Sequence, residues 1–124
     1  MVSEEDKRQA KFWLEYSEHL SATIRYTEAL TAVERALALD EMSKEAWYAK
    51  GTYLGMLGRY DEALAAFERA LEFDEQYVAA WDGKAWVLGV MGRKEEALTA
   101  VNRALELDPD YFDAVKRKRR LEGF

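Results

Sequence analysis

The stretch EALAAFERALEFD, residues 62–74, decides the fold of this chain. A closely similar stretch, EALTAVERALALD, stands 34 residues earlier at 28–40, and another, EALTAVNRALELD, stands 34 residues later at 96–108. Within each copy, apolar residues recur at spacings of three and four, which is the pattern of an amphipathic helix. A fixed period of this length is typical of stacked helix pairs that bury their apolar faces on one another. The sequence therefore predicts a repeat architecture.

The period divides the chain into one domain of several units. Residues 44–77 and 78–111 align without a gap and share 17 of 34 residues, so both are full copies of one unit. The predicted divisions are an N-terminal extension of the first helix at 1–9, units at 10–43, 44–77 and 78–111, and a C-terminal capping helix at 112–124. The predicted helices are 4–22, 27–39, 44–57, 61–73, 78–91, 95–107 and 112–122.

The turns inside the units are expected to differ. Gly58 and Gly92 end the first helices of the second and third units, because glycine tolerates the left-handed conformation at a helix C-terminus. Ile24 stands at the same position of the first unit, so we expect that turn to have another shape. Pro109 ends the last repeated helix firmly.

Composition restricts the class of protein. The 124 residues are 49% hydrophobic and 34% charged and include no Cys, which excludes disulfides and thiolate metal sites. The longest apolar run, residues 85–92, is too short to span a bilayer, and the acidic start at 1–6 does not resemble a signal peptide. We therefore expect a cytoplasmic protein. The abundance of Glu, Lys and Arg over Asn and Gln is also typical of thermophiles.

The repeated motif resembles that of the tetratricopeptide repeat family. Each unit has a Trp, a small residue four positions on, and then two Ala residues flanking an apolar residue in the second helix. The three copies are Trp13-Ser17-Ala29-Val33-Ala36, Trp47-Gly51-Ala63-Phe67-Ala70 and Trp81-Ala85-Ala97-Val101-Ala104. The resemblance implies an all-α right-handed solenoid whose first helices line a concave groove that binds proteins or peptides. The recurring Trp residues are expected to bury large areas between helices.

The same resemblance selects the candidate groove residues. They are Leu14 and Glu18 from the first unit, Tyr48 and Thr52 from the second, Asp82 and Trp86 from the third, and Lys116, Arg117 and Arg120 from the cap. Trp86 has no counterpart in the repeated motif and is the predicted anchor for a ligand, unless it packs on neighbouring helices. We expect Gly55, Gly83 and Gly89 to leave room in the groove.

Some family members clamp the acidic carboxyl-terminal tails of chaperones with Lys, Asn and Arg side chains. The matching positions of this chain hold Leu14, Glu18, Ala49, Ala79 and Gly83. None of these residues carries a positive charge. The chaperone-tail clamp is therefore not expected here.

Other function classes receive less support from the sequence. His19 is the only His and has no nucleophile at a recognisable spacing, and no glycine-rich phosphate loop is present, so we expect no enzyme, cofactor or metal site. Two alternatives remain to protein or peptide binding. One is a self-associating structural adaptor, and the other is nucleic-acid contact through the basic run 116–120, which the net charge of −6 disfavours.

Overall fold

A computed structural model describes residues 1–123 of the chain. These residues form seven α-helices and no strand. The helices are α1 (Glu4–Ser21), α2 (Tyr26–Leu39), α3 (Lys44–Met56), α4 (Tyr60–Phe73), α5 (Val78–Val90), α6 (Lys94–Leu107) and α7 (Phe112–Leu121). Each lies within one residue of its predicted bounds at either end. Phe124, the last residue of the predicted cap, lies outside the described residues.

The helices pack as an α-solenoid. Each first helix packs against the second helix of its own unit, and each second helix packs against the next first helix along the chain. The first helices α1, α3, α5 and α7 also contact one another in succession, whereas none of the second helices in the described chain contacts another. The first helices therefore lie on the shorter, inner side of the curve. The residues that these helices direct away from the second helices, towards the centre of the curve, therefore form the wall of a groove.

Small residues allow the helices to approach, and one large side chain fills the central space. Phe67 of α4 is fully buried, and a Cβ atom added to Gly51 or Gly83 would come within 2.7 Å or 2.6 Å of its ring. Trp47 and Trp81 pack against the core with most of their surface buried, but neither is buried completely. Each donates its indole N–H to a backbone carbonyl at the edge of the core. Phe67 therefore holds the central place in the core.

The first turn has the same geometry as the later two, so the expectation of a different shape is wrong. Ile24 has φ 60°, against 79° for Gly58 and Gly92. The residue after each donates its N–H to the carbonyl four residues before the turn residue, at 3.1 Å in the first unit and 2.9 Å in the others. A β-branched residue in this conformation costs about 1–2 kcal/mol. The surrounding unit therefore imposes the turn despite the wrong residue.

The last helix, α7, packs on both helices of the third unit. Ala114 faces them and is fully buried, as are Ala46 and Ala80 at the same position of the preceding units. Arg119 is exposed on the opposite side. None of the helices described is long and apolar enough to cross a membrane.

Candidate functional site

The nine predicted groove residues lie on first helices or on α7, and their exposure differs. Those that reach water freely are Glu18, Lys116 and Arg120. Those that are half-buried are Leu14, Tyr48, Thr52, Trp86 and Arg117. Asp82 alone is buried, with 5% of its surface exposed. The predicted set is therefore a wall of half-buried side chains with charged residues at its edges.

Tyrosines form the centre of this wall. The ring of Tyr48 lies 5.5 Å from that of Tyr77 and 5.7 Å from that of Phe67, measured between centroids. Burial raises the pKa of Tyr48, and it also raises the pKa of Tyr77. Burial, with help from nearby carboxylates, raises the pKa of Tyr111 to about 12. These phenols remain protonated at neutral pH and are available as hydrogen-bond donors.

Tyr77 and Tyr111 are absent from the predicted set. Both directly precede a first helix, as N-cap residues of α5 and α7. They stand at the same position of successive units, so the repeat alignment contained the signal. The motif places the ligand wall within the helices, however, and gives no reason to look one residue before them.

Asp82 and Arg117 bind each other across the groove wall. The Arg117 Nε donates to one Asp82 carboxylate oxygen at 2.7 Å, and a terminal guanidinium nitrogen donates to the other at 3.1 Å. Paired, half-buried charges of this geometry satisfy each other. The carboxylate of Asp82, a predicted groove residue, is therefore occupied by Arg117, and whether Asp82 contacts a ligand stays a prediction. The pair fastens α7 to α5.

Aromatic rings fill the space beside Gly55 and Gly83, so the expectation that these two glycines leave room in the groove is wrong. A Cβ atom on Gly55 would lie 2.5 Å from the Trp86 ring, and Gly83 is filled by Phe67. Gly89 is the exception, because a Cβ there would meet only the tip of Leu121, at 3.3 Å. Trp86 thus packs on the neighbouring helix α3 while part of its surface remains open. The packing interpretation agrees with this contact, whereas the role of Trp86 as an anchor for a ligand stays a prediction.

A cavity of about 320 Å³ opens between α5 and α7. Its lining is mainly apolar, and it includes one face of Trp86. The lining residues are Ala85, Trp86, Gly89, Val90, Arg117, Arg120 and Leu121. Beside it, a polar depression of about 140 Å³ is lined by Asp113, Lys116, Arg117 and Arg120. The two share Arg117 and Arg120, so an apolar space adjoins a mostly cationic one.

The described part of the chain contains no group of three His, Cys, Asp or Glu residues that could hold a metal ion. His19 is exposed on α1. The geometry at the groove supports recognition through packing and hydrogen bonds.

Two sequence models of protein families together match most of the chain and show its family. One tetratricopeptide repeat model matches residues 21–78, and a second matches residues 56–120. The chain belongs to the tetratricopeptide repeat family. No curated protein sequence matches the chain.

Solved structures of tetratricopeptide repeat domains have the same fold. The first such domain of Spaghetti (RPAP3), bound to an HSP90 peptide SRMEEVD, has a TM-score of 0.89 and 19% identity over 94% of this chain and 92% of that one. YrrB, described as having an unusual peptide-binding site, has a TM-score of 0.84 and 25% identity over 90% of this chain and 57% of that one. A Thermobaculum terrenum O-GlcNAc transferase has a TM-score of 0.91 and 25% identity, over 98% of this chain but 23% of the enzyme.

Proposed function

We propose that this chain is a protein-interaction module that binds a peptide or helix in its groove without chemical turnover. One observation carries the proposal. The groove wall carries three half-buried aromatic rings: the Tyr48 and Tyr77 ring centroids lie 5.5 Å apart, and the Trp86 ring packs on Gly55. Rigid aromatics that are partly open to water in a concave surface are common anchors for binding partners.

The likeness to peptide-binding domains supports the same proposal. RPAP3 and YrrB are described as binding peptides, and this chain has their fold. The specific contacts do not carry over, because Leu14, Glu18, Ala49, Ala79 and Gly83 supply no chaperone-tail clamp. We propose that the partner is a protein segment of another kind, met in the cytoplasm.

A peptide selection tests this function. Random peptides displayed on phage are selected on the whole chain, and the binding of each selected peptide is then measured against two variants. Thr52→Arg places a large side chain on the groove wall. We expect it to weaken binding at least about tenfold, a change of about 1.4 kcal/mol.

Thr31→Arg is the matched control, because Thr31 is exposed on the outer helix α2. The two threonines make the same local hydrogen bond, although Thr52 is half-buried: each hydroxyl donates to the backbone carbonyl four residues earlier, at 3.1 Å for Thr52 and 3.2 Å for Thr31. The control should bind as the wild type does. Failure to select any peptide, or equal effects of the two variants, would contradict groove binding.

A further inference from the structure

The cavity between α5 and α7 lies at a position where the preceding pair of first helices is filled by a side chain. Along the chain, the position of Trp86 recurs after 34 residues as Arg120, and that of Gly55 recurs as Gly89. Between α3 and α5, the Trp86 ring lies directly against Gly55. Between α5 and α7, the equivalent residue, Arg120, is exposed, and only the tip of Leu121 approaches Gly89. The space that an indole occupies at one junction is therefore open at the next.

The size of this space suits one side chain. Pockets for complete small ligands span about 300–1,000 Å³, and this cavity of about 320 Å³ lies at the lower limit. Its lining atoms are mostly apolar, and the half-open indole of Trp86 forms one wall. An apolar or aromatic side chain inserted here would gain the packing that the repeat itself obtains from Trp86. Burial of such a group is favourable in proportion to the apolar area removed from water.

Positive charges at the rim of the cavity favour acidic residues in a bound peptide, next to the side chain that enters the cavity. Arg117 is satisfied by Asp82, but no carboxylate of residues 1–123 lies within 4.0 Å of the charged nitrogens of Lys116 or Arg120. Lys116 instead lies over the ring of Phe112, 4.9 Å from its centroid. Two cations thus stand beside the cavity mouth. A carboxylate next to the inserted side chain would pair with them.

We infer that the α5–α7 cavity binds one large apolar side chain, of the Phe or Trp type, from a partner peptide with acidic residues next to it. This inference rests on the proposed function and names the class of partner. The site differs from a chaperone-tail clamp in its position at the cap helix and in using an internal residue. A free terminal carboxylate is therefore not required.

The test uses a peptide whose C-terminus is amidated, so that it has no free terminal carboxylate. The probe is a fluorescein-labelled, C-terminally amidated Gly-Ser-Asp-Glu-Phe-Glu-Asp-Ser-Gly, and binding is measured by fluorescence anisotropy. We expect a Kd below about 1 mM for the intact chain. Replacing Phe by Ala in the probe should weaken binding at least about tenfold, and replacing its acids by Asn and Gln should do the same. Added salt should weaken the acidic probe only.

Two protein variants locate the binding. Gly89→Leu fills the cavity from α5, and because Gly is a poor helix former, the substitution favours the helix. Gly89→Ala is the milder form if Leu prevents folding. Arg120→Glu reverses one rim charge, and Arg119→Glu makes the same charge change on an exposed neighbour outside the cavity. We expect Gly89→Leu and Arg120→Glu to weaken binding about tenfold or more, and Arg119→Glu to weaken it less than about threefold.

Several results would overturn the inference. They are no binding at about 1 mM, equal binding of the Phe and Ala probes, an unchanged Kd for Gly89→Leu, and equal effects of Arg119→Glu and Arg120→Glu. Failure here is distinguishable from failure of the proposed function. Peptides selected on the whole chain that lose affinity with Thr52→Arg but not with Gly89→Leu would support groove binding and reject this cavity.

Discussion

The junction between the second and third units and the junction between the third unit and α7 share one backbone arrangement but differ in their side chains. We call them the middle junction and the cap junction. At the middle junction, Trp86 closes the space against Gly55. At the cap junction, Arg120 replaces the tryptophan and a cavity remains beside Gly89. The same register therefore yields a packed contact once and an open, charged surface the next time.

A second difference between the two junctions also places an arginine where the middle junction has an apolar contact. The position of Gly83 at the middle junction, filled by Phe67, becomes Arg117 at the cap junction. Arg117 reaches back to Asp82 and replaces an apolar contact with an ion pair. Val101, smaller than its counterpart Phe67, leaves room for this change. The cap junction therefore has an ion pair at the position where the middle junction has an apolar contact.

A third difference concerns the helix behind each junction. Lys84 pairs with Glu68 at 3.3 Å at the middle junction. The same two positions at the cap junction hold Lys118 and Asn102, and the buried Oδ1 of Asn102 has no hydrogen-bond partner among residues 1–123. A buried oxygen without a partner costs free energy. All three differences indicate that the cap junction gives up packing and keeps surface for contact.

The largest expected effect tests the packing of the middle junction. Phe67→Ala should lower the free energy of unfolding by about 3–5 kcal/mol, because it empties the space shared by Gly51 and Gly83. Val101→Ala at the equivalent position should cost only about 2 kcal/mol, since it removes fewer carbon atoms from the core than Phe67→Ala does. Urea unfolding of both variants measures the difference. Equal losses would mean that the two junctions are packed alike.

The next effect tests the ion pair of the cap junction. Asp82→Asn keeps the size of the side chain but leaves Arg117 without its counter-charge. We expect a loss of about 2–3 kcal/mol, below the value for a fully buried pair because the Arg117 side chain is 22% exposed. Asp113→Asn on exposed α7 surface should change the free energy of unfolding by less than about 0.5 kcal/mol. A neutral Asp82→Asn would show that α7 is held by other contacts.

A matched glycine pair sharpens the comparison further. Gly55→Ala places a methyl group into the Trp86 ring and should cost about 1–3 kcal/mol. Gly89→Ala meets only the flexible end of Leu121 and should be neutral or stabilise by up to about 1 kcal/mol through helix propensity. Thermal unfolding of the two variants, each made alone, gives the sign directly. The same sign for both would remove the evidence that one junction is filled and the other open.

The sequence predicted features that depend on residues close together in the chain, and it failed for contacts between residues of different units. Helix bounds and the Gly58 turn depend on neighbouring residues, so their local patterns sufficed. The partner that fills each glycine, and the pairing of Asp82 with Arg117, depend on residues of another unit. Helical periodicity shows that such residues share a face, but it does not show which side chain reaches across. Ile24 failed as a predictor for a related reason, since the unit imposes a turn that its residue disfavours.

The smallest expected effect comes from restoring the repeated pattern at the cap junction. Arg120→Trp gives α7 the residue that the third unit has at this position, opposite a glycine that is already in place. Ala80 and Ala114 are both fully buried at the same position of their units, so we expect the new indole to lie over Gly89 as Trp86 lies over Gly55. Burial of its apolar surface should stabilise the chain by about 1 kcal/mol. Arg120 has no ion pair within residues 1–123 to lose, and the gain stays small because the equivalent Trp86 is itself only half-buried. Arg119→Trp, which lies outside the cavity, is the control and should give no gain. The filled cavity should also no longer bind the acidic Phe probe, so a stabilised variant that binds as tightly as before would separate the cavity from the ligand site.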